Sequence, residues 1–203
     1  TATGSTLWFG GTAQQTFANN GTLVDGYVRG LTVLNSSGAS PAVVMNNPVT
    51  IATALNLTFG SLGGPGAITL GNSLVTATTT VTVVNGNMVT TPTFNPGTTF
   101  NMNYNTSSSP RTTGPELPSI VGTLTMNNVN GVILNATTTA QKLTLTNGTL
   151  TTASTSALII AGTNPSDVSE GSSTSYVKGP LIRTFPASLA TGSTYSFPFG
   201  KTS

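Results

Sequence analysis

Few residues of this chain could carry acid–base chemistry. Its 203 residues include four carboxylates, those of Asp25, Glu116, Asp167 and Glu170. Enzymes that cleave polysaccharides use a pair of carboxylates across a cleft, or acids together with calcium and a basic side chain. Asp167 and Glu170 lie three residues apart in a polar loop, which is a solvated turn or, as an alternative, a weak calcium site. We therefore expect no enzymatic activity and no catalytic residue.

Cofactor and metal sites are equally restricted. The chain contains no cysteine and no histidine, so disulfides, and zinc or haem sites built on those residues, are excluded. The glycine-rich segment 60–66 (GSLGGPG) lacks the Lys-Ser/Thr pair of a phosphate-binding loop, and no helix follows it. The sequence therefore predicts no cofactor. The absence of cysteine is also compatible with a location outside the cell.

Charge and hydropathy limit the partners. Charged residues make up 5% of the chain, against about 25% in an ordinary globular protein. The formal net charge of +2 reflects this scarcity and not a basic patch, so we expect no nucleic-acid partner. No apolar run approaches the roughly 18 residues of a membrane span. If the protein is secreted, we expect the segment to be a mature or excised piece, because no signal peptide opens it.

The strands that must position any site are clearest between Gly114 and Gly162. Leu124 and Met126 alternate with threonines, and the same alternation returns at Leu143 and Leu145. A period of two places one set of side chains on a buried face and the other on a solvated face. The Asn-Gly pairs at 130–131 and 147–148 suit tight turns.

A similar pattern occurs earlier in the chain. It predicts an internal duplication, in which about 30–71 and 122–162 are the two copies. Leu31-Thr32-Val33 corresponds to Leu124-Thr125-Met126, and Leu55-Asn56-Leu57 to Leu143-Thr144-Leu145. Chance similarity between low-complexity Thr/Leu segments is the alternative. Repetition of this kind indicates stacked units that share a core. We predict a right-handed parallel β-helix or β-solenoid over 1–163, with 164–203 as capping or connecting strands of the same domain. At roughly 20 residues per rung it would have about nine or ten rungs.

Aromatic residues gather near the two termini. Because the ends of a stacked structure need covering, we predict that these residues serve end-to-end assembly or capping, and that the C-terminal strands close one end. For the single tryptophan, a stacking site for a sugar ring is the alternative. The residues are Trp8, Phe9, Tyr176, Phe185, Tyr195, Phe197 and Phe199.

Two threonine-rich runs, Thr76–Thr82 and Thr144–Thr152, raise ice binding as an alternative. Regularly spaced hydroxyl and methyl groups on a flat face can match ordered water. Such binding needs the same face repeated in register over many rungs, and the repeat here is irregular. Threonine is also simply a polar strand former that stacks on threonine in the next rung.

Two segments resemble a known group of proteins. The first is Tyr104–Gly162, in particular TTGPELPSIVGTLTMNN followed by LTLTNGTLTT, and the second is Tyr176–Lys201, YVKGPLIRTFPASLATGSTYSFPFGK. They are similar to Thr/Asn/Gly-rich repeat segments of large secreted or surface adhesin-like proteins of Bacteroidetes-type bacteria, which are often exported by the type IX route. The resemblance implies a parallel β-helix and a longer parent chain, of which this would be a fragment or processed subunit. It supplies no catalytic residue.

The sequence thus favours a structural role outside the cell, on the bacterial cell surface. We predict a self-associating filament subunit or adhesin stalk segment, because unpaired edge strands at the ends of a solenoid invite end-to-end addition. Its partners would be copies of itself or further domains of a parent chain, with surface glycans as further ligands. The alternative is a polysaccharide- or ice-binding module. Aromatic residues exposed on a lateral face would favour binding, and aromatic residues buried at the ends would favour assembly.

Overall fold

A computed structural model describes residues 4–18, 23, 26–105 and 107–200. The protein is all-β, with parallel strands stacked as a β-solenoid of about seven turns and almost no helix, which confirms the predicted fold class. The predicted nine or ten rungs are wrong, because the coils in the first half of the chain take more than 20 residues. Leu31 pairs with Leu55, and Leu55 pairs with Val81, which are steps of 24 and 26 residues. Right-handedness stays a prediction.

The strands are short, apart from three of ten or more residues, β5, β7 and β13. In chain order, the strands are β1 (Thr6–Gly11), β2 (Gln15–Phe17), β3 (Val28–Asn35), β4 (Val43–Met45), β5 (Val49–Gly63), β6 (Ile68–Leu70), β7 (Thr78–Met88), β8 (Thr93–Phe94), β9 (Thr99–Asn105), β10 (Arg111–Thr112), β11 (Ile120–Asn127), β12 (Val132–Ile133), β13 (Thr138–Asn147), β14 (Leu150–Thr151), β15 (Leu158–Ile160), β16 (Val177–Lys178) and β17 (Leu181–Arg183). A 3₁₀ turn spans Pro165–Asp167. In the described ranges, no helix is long and apolar enough to cross a membrane.

The chain divides into two compact units. Unit 1 comprises Thr1–Phe100 and Gly114–Glu116. In it β1, β3, β5 and β7 pair in that order, all parallel, while β4 and β6 also pair with β5. Alternate residues along much of β3, β5 and β7 are buried, as the period of two predicts. The central ladder of this core consists of Leu31, Val33, Leu55, Leu57, Val81 and Val83.

Unit 2 comprises Asn101–Thr113 and Leu117–Ser203. Its larger sheet runs from the Met102–Asn105 part of β9 through β11, β13 and β15 to β17, and β10, β12, β14 and β16 form a second parallel sheet. Its buried side chains come from both sheets: Met102, Leu124, Met126, Leu143, Leu150, Leu158 and Val177.

The two segments predicted to be duplicates have the same pairing order, each within its own unit. Leu31 of β3 pairs with Leu55 of β5, and Leu124 of β11 pairs with Leu143 of β13. The strand that follows then pairs with the first residues of the second strand in each case: β6 pairs with the start of β5, and β15 pairs with the start of β13. Duplication as the origin of this likeness stays a prediction.

The Asn-Gly turns adopt the conformation that their sequence favours. Gly131 and Gly148 have φ values of 84° and 76°, a region that glycine enters without strain. Asn128 supports the first turn from inside, since its side-chain amide donates to the Gly131 carbonyl at 3.0 Å and to Ser107 Oγ at 2.8 Å. These bonds satisfy polar groups that the coil buries.

Candidate functional site

The C-terminal segment of unit 2 is held by one buried cation. Arg183 lies at an inward position of β17, next to Ile160 of β15 in the ladder, and is almost fully buried. Its Nη1 donates to the Ser196 carbonyl at 2.8 Å, and its Nη2 donates to the carbonyls of Asn164 at 2.7 Å and Pro165 at 2.8 Å. Charge-assisted bonds of this kind are stronger than neutral ones, so Arg183 ties residues 184–200 to the 3₁₀ turn.

Two further groups act on the same guanidinium. Its carbon Cζ lies 4.7 Å from the centre of the Tyr195 ring, which is cation–π geometry. Burial lowers the pKa of the Arg183 guanidinium below its ordinary value, and the negative charge of Asp167 opposes that change. The Tyr195 hydroxyl donates to the Thr163 carbonyl at 3.1 Å and adds a second anchor for the segment.

The end of this segment runs as a partial rung beside β16. Val177 donates its N–H to the Pro198 carbonyl at 2.8 Å, and Phe199 forms a parallel bridge with Val177. Pro198 is buried while its neighbours Phe197 and Phe199 are exposed. The two phenylalanines therefore share the outward face, as residues two apart in extended chain must.

Four aromatic rings form a continuous row on this segment. Tyr195 and Phe185 meet edge to face with centroids 4.9 Å apart, Phe185 lies 6.2 Å from Phe197, and Phe197 stacks on Phe199 at 6.0 Å with an interplanar angle of 20°. The three phenylalanines are between 42% and 53% exposed. We name Phe185, Tyr195, Phe197 and Phe199 the aromatic row. It presents to solvent an apolar surface that a protein would ordinarily bury or use.

A pocket of about 460 Å³ opens beside the aromatic row. Its lining includes the apolar or aromatic residues Tyr176, Phe197, Pro198 and Phe199 and the polar residues Glu170, Ser172 and Ser173. Tyr176 is buried and its ring lies against Gly200, where any side chain would overlap the ring. The volume lies within the range of small-molecule sites, and aromatic and polar residues both line the pocket.

Three of the four carboxylates lie in the described residues, and each has a different setting. Glu116 is buried and accepts a bond from the Gly114 N–H at 2.9 Å. Asp167 accepts from the Asn164 N–H at 2.8 Å within the 3₁₀ turn, and Glu170 lines the pocket. Asp25 lies outside the described residues. Over the described ranges, no three acidic side chains come together as a metal-binding group.

The structure places the predicted aromatic residues in two groups, one in each unit. Trp8 and Phe9 lie on β1, where Trp8 faces solvent and Phe9 is half-buried with its ring edge to face with Phe17 at 6.2 Å. Tyr176, Phe185, Tyr195, Phe197 and Phe199 come together in the row and pocket of unit 2. Their part in assembly or capping stays a prediction.

The threonine runs do not build a repeated array. Thr80 and Thr82 of β7 lie beside Ala54 and Asn56 of the neighbouring strand, and Thr79 turns inward and donates to the Ala52 carbonyl at 2.7 Å. In unit 2, Thr144 pairs with Thr125, but Thr125 pairs with Asn103. The hydroxyl pattern therefore changes from one rung to the next.

Sequence reasoning missed the polar side of the site. Arg183 is recognisable only as a cation, although its position two residues after the buried Leu181 indicates an inward side chain. Glu170, Ser172 and Ser173 carry no motif, since loop folding brings them to Phe197 and Phe199. Comparison of the chain with protein-family models, with curated proteins and with solved structures gave no match.

Proposed function

We propose that the chain is a non-enzymatic, glycan-binding segment of an adhesin-like protein outside the bacterial cell, and that the pocket of unit 2 binds a sugar residue. The observation that carries the proposal is the aromatic row of exposed rings beside a pocket with a polar side. The extracellular location rests on the low charge, the absence of cysteine and the resemblance of Tyr104–Gly162 and Tyr176–Lys201.

The chemistry of a pyranose fits this pocket. Its C–H groups carry partial positive charge and pack on the electron-rich face of an aromatic ring, which Phe197 and Phe199 supply. Its hydroxyl groups need hydrogen-bond partners, and the polar residues Glu170, Ser172 and Ser173 also line the pocket. A ligand with one apolar face and polar edges therefore meets matching surfaces.

Several features support binding without catalysis. Among the described residues that line the pocket, Glu170 is the one carboxylate, whereas hydrolysis of a glycosidic bond ordinarily uses two. Asp167 is engaged in the 3₁₀ turn, and Glu116 is buried in unit 1. The pocket residues therefore include one carboxylate that can accept hydrogen bonds from sugar hydroxyls.

A glycan array followed by titration calorimetry tests this proposal. We expect the wild-type protein to bind a subset of neutral glycans with micromolar to millimolar affinity, and Phe197→Ala or Phe199→Ala to weaken that binding at least tenfold. Ile120→Ala is the matched control, since it removes an exposed apolar side chain of β11 that does not line the pocket. Absence of glycan binding by the wild type, or equal binding by all variants, would overturn the proposal.

End-to-end assembly is a second candidate, favoured by one observation. Within the described residues, β1 pairs with β3 and with no other strand, so one edge of β1 is open to strand addition. Electron microscopy of the purified chain at micromolar concentration tests it without a cross-linker. Long regular filaments would support assembly, and isolated particles would exclude it for this segment.

A further inference from the structure

A line of exposed apolar side chains crosses three neighbouring strands of unit 1. Trp8, Leu34 and Phe59 are 65%, 42% and 45% exposed. Gly10 of β1 pairs with Leu34 of β3, and Leu34 pairs with Phe59 of β5. The Trp8 ring lies over Gly10, where any side chain would overlap it. Through Gly10 the indole therefore joins the ladder of Leu34 and Phe59, and we name Trp8, Leu34 and Phe59 the apolar strip.

The backbone register sets the spacing of the apolar strip. Neighbouring strands lie about 4.8 Å apart, so the rungs of Trp8 and Phe59 are about 10 Å apart, with Leu34 between them. That distance is comparable with one disaccharide unit of an extended β-linked polysaccharide. The two aromatic rings can thus contact alternate sugar residues of one chain, which would run across the strands.

A polar row accompanies the strip. Thr32 of β3 pairs with Trp8 on one side and with Asn56 of β5 on the other, and Asn56 pairs with Thr82 of β7. The Asn56 side-chain amide donates to Thr32 Oγ1 at 3.2 Å. These half-buried side chains are partners for the hydroxyl groups at the edge of a sugar ring.

The scarcity of charged residues on these strands favours an uncharged ligand. Strands β1, β5 and β7 contain no charged residue, and β3 contains Arg29 alone. Anionic polysaccharides and nucleic acids are held mainly by Lys and Arg, which these strands scarcely supply. A neutral polymer loses no ionic hydration on binding and matches the face in charge.

We propose that the apolar strip is a second carbohydrate site, which binds an extended, uncharged, β-linked polysaccharide across the strands of unit 1. It goes beyond the proposed function because it lies in a different unit from the pocket, uses different residues and takes a polymer where the pocket takes a sugar residue. Its failure and that of the pocket are therefore separable by mutation.

The single tryptophan provides a direct readout. Trp8 is the one indole of the chain, so its fluorescence reports on the strip alone. We expect hexasaccharides of β-1,4-linked glucose or N-acetylglucosamine to change the emission saturably, and alginate oligosaccharides, which are anionic, to leave it unchanged. No change with either neutral hexasaccharide, or an equal response to alginate, would overturn the proposal.

Variants and polymer binding complete the test. Trp8→Ala and Phe59→Ala should each weaken cosedimentation with amorphous cellulose or chitin at least tenfold, while Leu74→Ala, at an exposed apolar position of the same unit, should not. Phe197→Ala should reduce binding at the pocket and leave cosedimentation intact. Unchanged cosedimentation of the strip variants would overturn the proposal, as would a loss of self-association in place of a loss of polymer binding. Thermal unfolding measured for each variant confirms that the fold persists.

Discussion

The apolar strip and the aromatic row expose similar side chains, but different parts of the chain hold them. The strip lies on β1, β3 and β5, where pairing of Gly10, Leu34 and Phe59 fixes the spacing through the backbone. The aromatic row lies on 184–200, which is irregular except for the bridge between Val177 and Phe199. Its geometry therefore depends on side-chain anchors.

The apolar strip and the aromatic row should therefore be sensitive to different mutations. A residue keeps its place in the ladder when a surface side chain is replaced, because the main-chain hydrogen bonds of the sheet remain. The row depends on Arg183, on Tyr195 and on the packing of Tyr176 against Gly200. Loss of an anchor should loosen the pocket, whereas loss of core packing is needed to distort the strip.

The largest expected effect comes from the core beneath the strip. Leu31→Ala should lower the free energy of unfolding by about 3 kcal/mol, because it leaves a cavity at a fully buried position that pairs with Leu7 and Leu55. Leu7→Ala in the outermost strand is the control and should cost roughly 1 kcal/mol, since Leu7 is only half-buried. Urea unfolding measures both, and equal losses would contradict the expectation that burial decides the cost at these two positions.

The second largest effect is expected from removal of Arg183, the cation that anchors the aromatic row. Arg183→Met loses three charge-assisted bonds to main-chain carbonyls and should lower the free energy of unfolding by about 2 kcal/mol. It should also speed proteolysis within 184–200 and abolish sugar binding at the pocket, yet spare polymer binding at the strip. Lys142→Met, at an exposed position of β13, is the matched control. Intact pocket binding in Arg183→Met would show that the anchor is dispensable.

A smaller effect is expected from a substitution at Gly200, which lies against the Tyr176 ring in the lining of the pocket. Gly200→Ala places a methyl group against the Tyr176 ring and should cost about 1 kcal/mol while weakening sugar binding several-fold. Ser188→Ala, at an exposed position of the same segment, should change neither quantity. Calorimetry and thermal unfolding of the two variants decide this, and wild-type affinity in Gly200→Ala would remove Tyr176 from the site.

The smallest effect is expected from the aliphatic member of the strip. Leu34→Ala should change stability by less than about 0.5 kcal/mol, because the side chain is nearly half exposed, and should weaken polymer binding only two- to fivefold. The aromatic rings on either side supply most of the contact. A loss as large as that of Trp8→Ala in cosedimentation would show that continuity of the strip matters more than its rings.

Much of the fold could be predicted from local patterns. The alternation around Leu31, Leu55, Leu124 and Leu143 places these residues inside, and all four are buried in parallel ladders. The rung number could not be predicted in this way, because loops such as that between β6 and β7 lengthen coils without altering the alternation. Sequence periodicity predicts the positions of the strands but not the lengths of the loops between them.

The candidate site was less predictable, for a physical reason. Hydrophobic type indicates burial on average, yet Phe197 and Phe199 are exposed while Pro198 between them is buried. Glu170 and Ser172 reach these rings through a loop whose path no residue pattern specifies. The aromatic residues were identifiable from the sequence, but their exposure and their polar neighbours required the structure.

A protein-detected NMR titration with the glycan selected on the array tests directly whether the pocket of unit 2 binds a sugar residue. We expect backbone signals of Glu170, Ser172, Tyr176 and Gly200 to shift saturably, and Phe197→Ala to suppress these shifts. Saturable shifts confined to residues outside the pocket, or no shifts at millimolar glycan, would contradict this expectation.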